Sequence, residues 1–345
     1  MKRKRFFGIE WLALLTALCW GSGSFFGKKA LNIGQLSSLV GINIRTFTAL
    51  VLFLLLIVIF GKRLDTNIRK EIVHAWKTSK MGLFQIIIFE GILAGAIGMF
   101  LYYLAISGGE LSIVMPLAFL SPVWGTLLAI LFKDEKITFH RTIGLLLTMG
   151  GIIIITSKLL SINELLGWRI EYYALLTGLC WGIGSFFGKR GMKKTNISSY
   201  VGITIRSVVS LVILLILVFT VGPAFLESNL VSELRWIFSN ELDQFFLILI
   251  FEGVIAGFLG MMLYYMAIRK GELSMVMPLA FSSPFWGTLL ALIWQTEIFT
   301  IQRITGMFFI LTGIIYITNR NIGKRVIRPD YYNKPVEPLI KKPKT

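Results

Sequence analysis

The segment Ala13-Leu-Leu-Thr-Ala-Leu-Cys-Trp-Gly-Ser-Gly-Ser-Phe-Phe-Gly-Lys28 returns later in the chain as Ala174-Leu-Leu-Thr-Gly-Leu-Cys-Trp-Gly-Ile-Gly-Ser-Phe-Phe-Gly-Lys189. The match is too long for chance, and it continues. Phe89-Glu90-Gly91 returns as Phe251-Glu252-Gly253, and Glu110-Leu-Ser-Ile-Val-Met-Pro-Leu-Ala-Phe119 as Glu272-Leu-Ser-Met-Val-Met-Pro-Leu-Ala-Phe281, with the register shifted by one residue in an intervening loop. A chain that repeats itself must fold into two copies of one unit.

Those units are membrane units. The 345 residues are 55% hydrophobic and only 15% charged, with mean hydropathy +0.76, outside the range of soluble domains. A bilayer core takes roughly 20 apolar residues per helix. Ten such stretches occur, at about 9 to 31, 35 to 60, 81 to 107, 111 to 132, 138 to 157, 172 to 192, 197 to 221, 245 to 269, 273 to 294 and 300 to 319. The expected fold class is therefore an all-α polytopic membrane protein of ten transmembrane helices. Residues 1–158 form the first five-helix repeat and 159–320 the second, and 321–345 form a basic, proline-rich cytoplasmic tail expected to be disordered.

The first apolar stretch follows Met1-Lys2-Arg3-Lys4-Arg5 and so mimics a signal peptide, but it is too long and ends in Gly27-Lys28-Lys29, which predicts an uncleaved first helix. With the N-terminus inside, most basic residues fall in the loops on that side, such as Lys62 to Lys80, Lys133 to Arg141 and Lys189 to Lys194. The opposite side holds few, and its 222 to 244 loop carries Glu227, Glu233, Glu241 and Asp243. This distribution puts both termini in the cytoplasm, and it assigns the net charge of +17 to topology rather than to nucleic-acid binding.

Five helices per repeat is an odd number, so the second copy must enter the membrane from the other side. Inverted repeats of this kind underlie alternating access in many secondary transporters, around a site at the midplane. Trp20-Gly21, Phe25 and Lys28, then Pro116, Ser121-Pro122, Glu135, Gly144 and Gly151 form a set that returns at Trp181, Pro278, Pro284, Glu297, Gly306 and Gly313. The set resembles the EamA-type repeat of the drug/metabolite transporter superfamily. The resemblance covers nearly the whole chain before the tail and implies a permease with a central cavity for a small metabolite, without saying which. A flippase for a lipid-linked carrier, or a non-transporting sensor, is open on the same fold.

Ionisable groups deep in a membrane helix are costly, so they are normally paired or face a wet cavity. Arg45, Glu90, Arg206 and Glu252 are such groups. Counting residues from the helix ends, Arg45 and Glu252 share one depth and Arg206 and Glu90 the mirrored one. Two cross-repeat pairs are expected, either as gates and substrate or proton ligands, or as permanent structural bridges; pairing within one repeat is the alternative. Trp20, Ser24 and Lys28 are four residues apart and share a helix face, as do Trp181, Ser185 and Lys189, so each stripe is a candidate cavity wall. A lysine snorkelling at a helix end is the plainer reading of Lys28.

The glycine pairs 23/27, 184/188, 91/95 and 253/257 predict close helix packing. The prolines of the fourth and ninth helices predict kinks. Ile68, Ile72 and Trp76, like Leu230, Leu234 and Ile237, predict short interfacial helices. Only Cys19, Cys180, His74 and His140 carry sulfur or imidazole chemistry besides methionine, at no spacing that suggests a metal site, a disulfide framework or catalysis. No phosphate-binding GxxxxGK[ST] loop occurs. The expectation is no enzyme and no cofactor, with transport coupled to a proton, ion or counter-substrate gradient.

Overall fold

The fold is described from a computed structural model, for residues 8–34, 36–135, 139–156, 169–225, 228–239, 249–294 and 300–318. Glu227, Glu241, Asp243, Glu297 and the tail after Arg320 lie outside the described residues. All regular structure among the described residues is helical. The first repeat comprises α1 (Ile9–Gly34), α2 (Ser38–Phe60), α3 (Ile68–Thr78), α4 (Lys80–Gly108), α5 (Leu111–Leu131) and α6 (Phe139–Thr156). The second comprises α7 (Arg169–Thr195), α8 (Ser199–Thr220), α9 (Leu230–Ser239), α10 (Leu249–Lys270), α11 (Leu273–Ile293) and α12 (Ile301–Thr318).

Seven of these helices, α1, α2, α4, α5, α8, α10 and α11, are long and apolar enough to cross a membrane. The protein is thus a multi-pass helical membrane protein in two repeats. The other three expected spans are helical as α6, α7 and α12.

The repeats interlock. Helix α1 packs on α10 and α11 of the other repeat, and α7 packs on α4 and α5 in the matching way; α2 meets α8, and α6 meets α12. Glycines permit this closeness. A Cβ on Gly23 of α1 would overlap Ala256, and one on Gly184 of α7 would overlap Ala94, so the small-residue pairs do serve helix contact. Gly151 lies against the Gly306 carbonyl, and Gly313 against the Gly144 carbonyl, which explains the glycines of α6 and α12.

Local chemistry shapes the helices that build the interior. Pro116 lacks an N–H, and α5 breaks after Ala118 and restarts at Ser121 with Pro122 in the new first turn. Helix α11 does the same around Pro278, Ala280, Ser283 and Pro284. The kinks expected from the sequence are thus full breaks, and they turn Phe119 and Phe281 into the core. In α4 and α10 the stretches Ile86–Gly98 and Gly253–Gly260 are wound as π-helix, a form that clusters at functional sites.

The two short helices act as straps between repeats. Glu71 of α3 accepts the Ser198 N–H at 2.7 Å, and Glu233 of α9 accepts the Ser37 N–H at 2.9 Å. Ser198 and Ser37 are the N-caps of α8 and α2, so each strap carboxylate satisfies a helix start of the other repeat.

Candidate functional site

Glu252 reaches from α10 toward the first repeat. Its Oε1 accepts Arg45 Nε at 2.7 Å, and its Oε2 accepts the Tyr103 hydroxyl at 2.9 Å. Glu90 reaches from α4 toward the second repeat, where the Tyr265 hydroxyl donates to Oε1 at 2.6 Å and Arg206 Nε stands 3.4 Å from the same oxygen. The ion pairs are therefore cross-repeat, and pairing within one repeat does not occur for these four groups. All four are buried, and each carboxylate faces an arginine and a tyrosine of the opposite repeat.

Both pairs line one central cavity, flanked by Trp20 and Ser24 of α1 and Trp181 and Ser185 of α7. Tyr102 donates to Ser24 Oγ at 2.6 Å and Tyr264 to Ser185 Oγ at 2.7 Å. Ser24 Oγ in turn donates to the Trp20 carbonyl. The indoles cross between repeats: Trp20 lies 4.9 Å from Tyr264 and 5.0 Å from Phe281, while Trp181 lies 5.1 Å from Tyr102 and 5.3 Å from Phe119. The edge-on and tilted arrangements suit aromatic quadrupoles. Ala94, Met99, Ala256 and Met261 complete a lining of sixteen residues that fall into eight repeat-related pairs.

Every lining residue is buried, and the cavity has room for at least a few water molecules.

The lysines of the two stripes do not belong to this cavity. Lys28 donates to the Gly109 carbonyl at 2.7 Å rather than snorkelling into solvent. Lys189 pairs with Glu135 at 2.6 Å, and Glu135 also accepts the N–H groups of Leu273 and Ser274 at 2.6 and 3.0 Å. One turn or more along α1 and α7 from the serines, these side chains reach the helix starts of α5 and α11 instead. Burial pushes the Glu135 carboxyl up, but Lys189 and the two backbone N–H groups outweigh it and hold it below the usual glutamate range. Arg190 adds a second ion pair, with Asp134, at 3.3 Å.

The four tyrosines, Phe119 and Phe281 were not singled out in the sequence. Their signal was present: Tyr102-Tyr103 returns as Tyr264-Tyr265 in the same repeat register as the glutamates. Among the described residues no cluster of three His, Cys, Asp or Glu is placed to hold a metal ion.

The comparisons with known proteins agree with this architecture. An uncharacterized transporter of Archaeoglobus fulgidus is 24% identical over 90% of this chain and 99% of its own length. An uncharacterized protein of Methanocaldococcus jannaschii is 30% identical over 42% of this chain and 93% of its own length, about one repeat. A protein of known crystal structure superposes with a TM-score of 0.65 at 11% identity, covering 90% of this chain and 96% of that one, a likeness of fold alone. Residues 8–157 and 168–319 each match the EamA-like transporter family. The chain therefore belongs to the EamA-like transporter family, and is a membrane transporter rather than an enzyme by that membership.

Proposed function

We propose that the protein is a secondary transporter that moves a small metabolite across the cell membrane by alternating access, with the central cavity as its substrate site. The observation that carries this reading is the pairing of the lining: each residue that lines the cavity from one repeat has its repeat-related counterpart in the lining from the other. Two repeats of opposite orientation can exchange conformations, and a site shared equally between them then faces each side of the membrane in turn. The reading takes the ten helices as two inverted sets of five, residues 1–158 and 159–320, with both termini cytoplasmic.

In this scheme Arg45, Glu252, Arg206, Glu90, Trp20, Trp181, Ser24 and Ser185 contact the substrate or close over it. Lys28 and Lys189 act as gates outside the cavity, where each holds a helix start. A proton, ion or counter-substrate gradient drives the cycle, and the buried glutamates are the groups to carry a coupled proton.

The test is counterflow in proteoliposomes loaded with candidate metabolites. Uptake of one chemical class by the wild type, lost in Trp181→Ala and Arg206→Ala proteins of unchanged folding, supports the carrier. Binding of a ligand without counterflow points to a sensor, and activity confined to lipid-linked sugars points to a flippase.

A further inference from the structure

A second cleft lies outside the central cavity, at the end of the bundle where α5 of the first repeat and α7 of the second run out side by side. Its walls include Phe186, Arg190 and Lys193 of α7 and Asp134 beyond α5. Phe186, Arg190 and Lys193 follow one another at i, i+4 and i+7 and so share one helix face. Arg190 lies over two rings, its Cζ 4.8 Å from the centre of Phe132 and 5.7 Å from that of Phe186. Stacking fixes the guanidinium plane. The 3.3 Å ion pair with Asp134 engages Nε, only one of the donors of the fork. Just past α5, Lys133 is held at φ 57°, the left-handed position that a helix end normally gives to glycine. A lysine there costs backbone strain, and it adds a cation beside Phe132 and Asp134.

The duplicated pattern does not account for these charges. Lys189 and Glu135 recur in the other repeat as Lys28 and Glu297, but Arg190 is matched by Lys29, Lys193 by Asn32 and Lys133 by Gln295. The ion-pair framework belongs to both repeats, whereas Lys193 and Lys133 belong to one. Beside them the wall is apolar and faces outward: Trp124, Leu127 and Leu131 of α5, at i, i+3 and i+7, are exposed, as is Phe132. The apolar span of α5 ends at Leu131, so the cations stand at headgroup depth and the exposed stripe at the depth of acyl chains. A soluble anion has no use for that stripe. We propose that the Arg190–Lys193–Lys133 cleft is a binding site for an anionic phospholipid. The phosphate takes the terminal N–H groups of Arg190, with Lys193 and Lys133 as flanking charges. An acyl chain lies along Trp124, Leu127 and Leu131. Because α5 and α7 belong to different repeats, the lipid ties the halves together beside the Lys189–Glu135 pair. The charge distribution makes this the cytoplasmic end, where the leaflet is anionic.

The test uses the purified full-length protein, delipidated in mild detergent, with native mass spectrometry and thermal unfolding against phosphatidylglycerol, phosphatidylcholine and soluble glycerol 3-phosphate. Phosphatidylglycerol is expected to bind and to raise Tm above the level reached with either of the others at equal concentration. Lys193→Gln, at an exposed position, and Arg190→Lys, which keeps the charge but loses the fork, should each weaken phosphatidylglycerol binding by about fivefold or more. Lys133→Gly should reduce the lipid response while leaving the Tm without lipid unchanged or higher, since glycine relieves the left-handed position. The double variant Arg69→Gln/Lys70→Gln removes two exposed cations of α3 from the same end and should leave binding within about twofold of the wild type. An equal loss in that variant reduces the effect to general surface charge and overturns the site. So does equal stabilisation by phosphatidylcholine, or binding that survives unchanged in the Lys193 and Arg190 variants. Full stabilisation by glycerol 3-phosphate makes the ligand a soluble anion and overturns the lipid.

Discussion

At the scale of single residues the interior is held by carboxylates that each need help from the opposite repeat. Removing one partner strands the other charge in a buried site, which costs more than the pair itself contributes. Arg45→Ala and Glu252→Ala should therefore each destabilise strongly, while the double variant loses much less than their sum. A coupling of about 0.5 to 3 kcal/mol in a double-mutant cycle of unfolding is expected, and additive losses would show that the 2.7 Å contact carries no net energy. Tyr103→Phe tests the neighbouring bond in isolation, since it deletes only the hydroxyl that reaches Glu252. A loss of about 1 to 3 kcal/mol is expected in the same unfolding assay.

The helices themselves make separate demands. Gly184 and Gly150 both sit inside helices, but a Cβ at 184 would overlap Ala94 whereas one at 150 meets nothing within 4 Å. Gly184→Ala should lower stability by about 1 to 3 kcal/mol through overpacking. Gly150→Ala should be neutral or stabilise by up to about 1 kcal/mol, because alanine restricts the unfolded chain. Equal effects in thermal unfolding would remove close packing as the reason for glycine at 184. Glu135, which follows α5 and accepts the first N–H groups of α11, gives a pH test. Its folded carboxyl is held below the ordinary value, so its stabilising contribution is fully present above about pH 4.3 and is lost as the pH falls below that. Unfolding followed from pH 6 down to about pH 3 should show this loss in the wild type and a flatter profile in Glu135→Gln. The sequence marked Glu135 and Lys189 as members of a repeating pattern, but their meeting across repeats depends on where α7 ends relative to α5, which no local pattern encodes.

For the molecule as a whole, neither repeat satisfies itself. Arg45 and Glu90 both find their partners in the second repeat, and the starts of α2 and α8 are capped by carboxylates from the opposite straps. Residues 1–158 expressed alone would carry unpaired ionisable groups at roughly 2.5 to 3.5 kcal/mol each on insertion scales. The half should be degraded or aggregated, and co-expression with 159–345 should restore a complex that co-purifies as one species. A first repeat that is stable and monodisperse alone would sink the idea that these contacts hold the halves together.

The membrane class, the helical content, the duplication and the family were legible in the residues, because apolar length and repeated motifs are local properties of a chain. So was the choice of Arg45, Glu90, Arg206 and Glu252, since a charge within an apolar stretch needs a partner or water wherever the fold puts it. The sequence could not say which of its apolar stretches pack on one another, because those contacts run between the repeats. Nor could it separate Ser24 from Lys28, which share a helix face but lie at different depths. Only tertiary packing decided which side chains enter the cavity. The breaks in α5 and α11 turn Phe119 and Phe281 inward, and the tyrosines of α4 and α10 reach the carboxylates of the other repeat. The loose geometry at Glu90 beside the tight one at Glu252 is likewise a product of packing: near-identical motifs have identical local preferences, and only their different surroundings can set them apart.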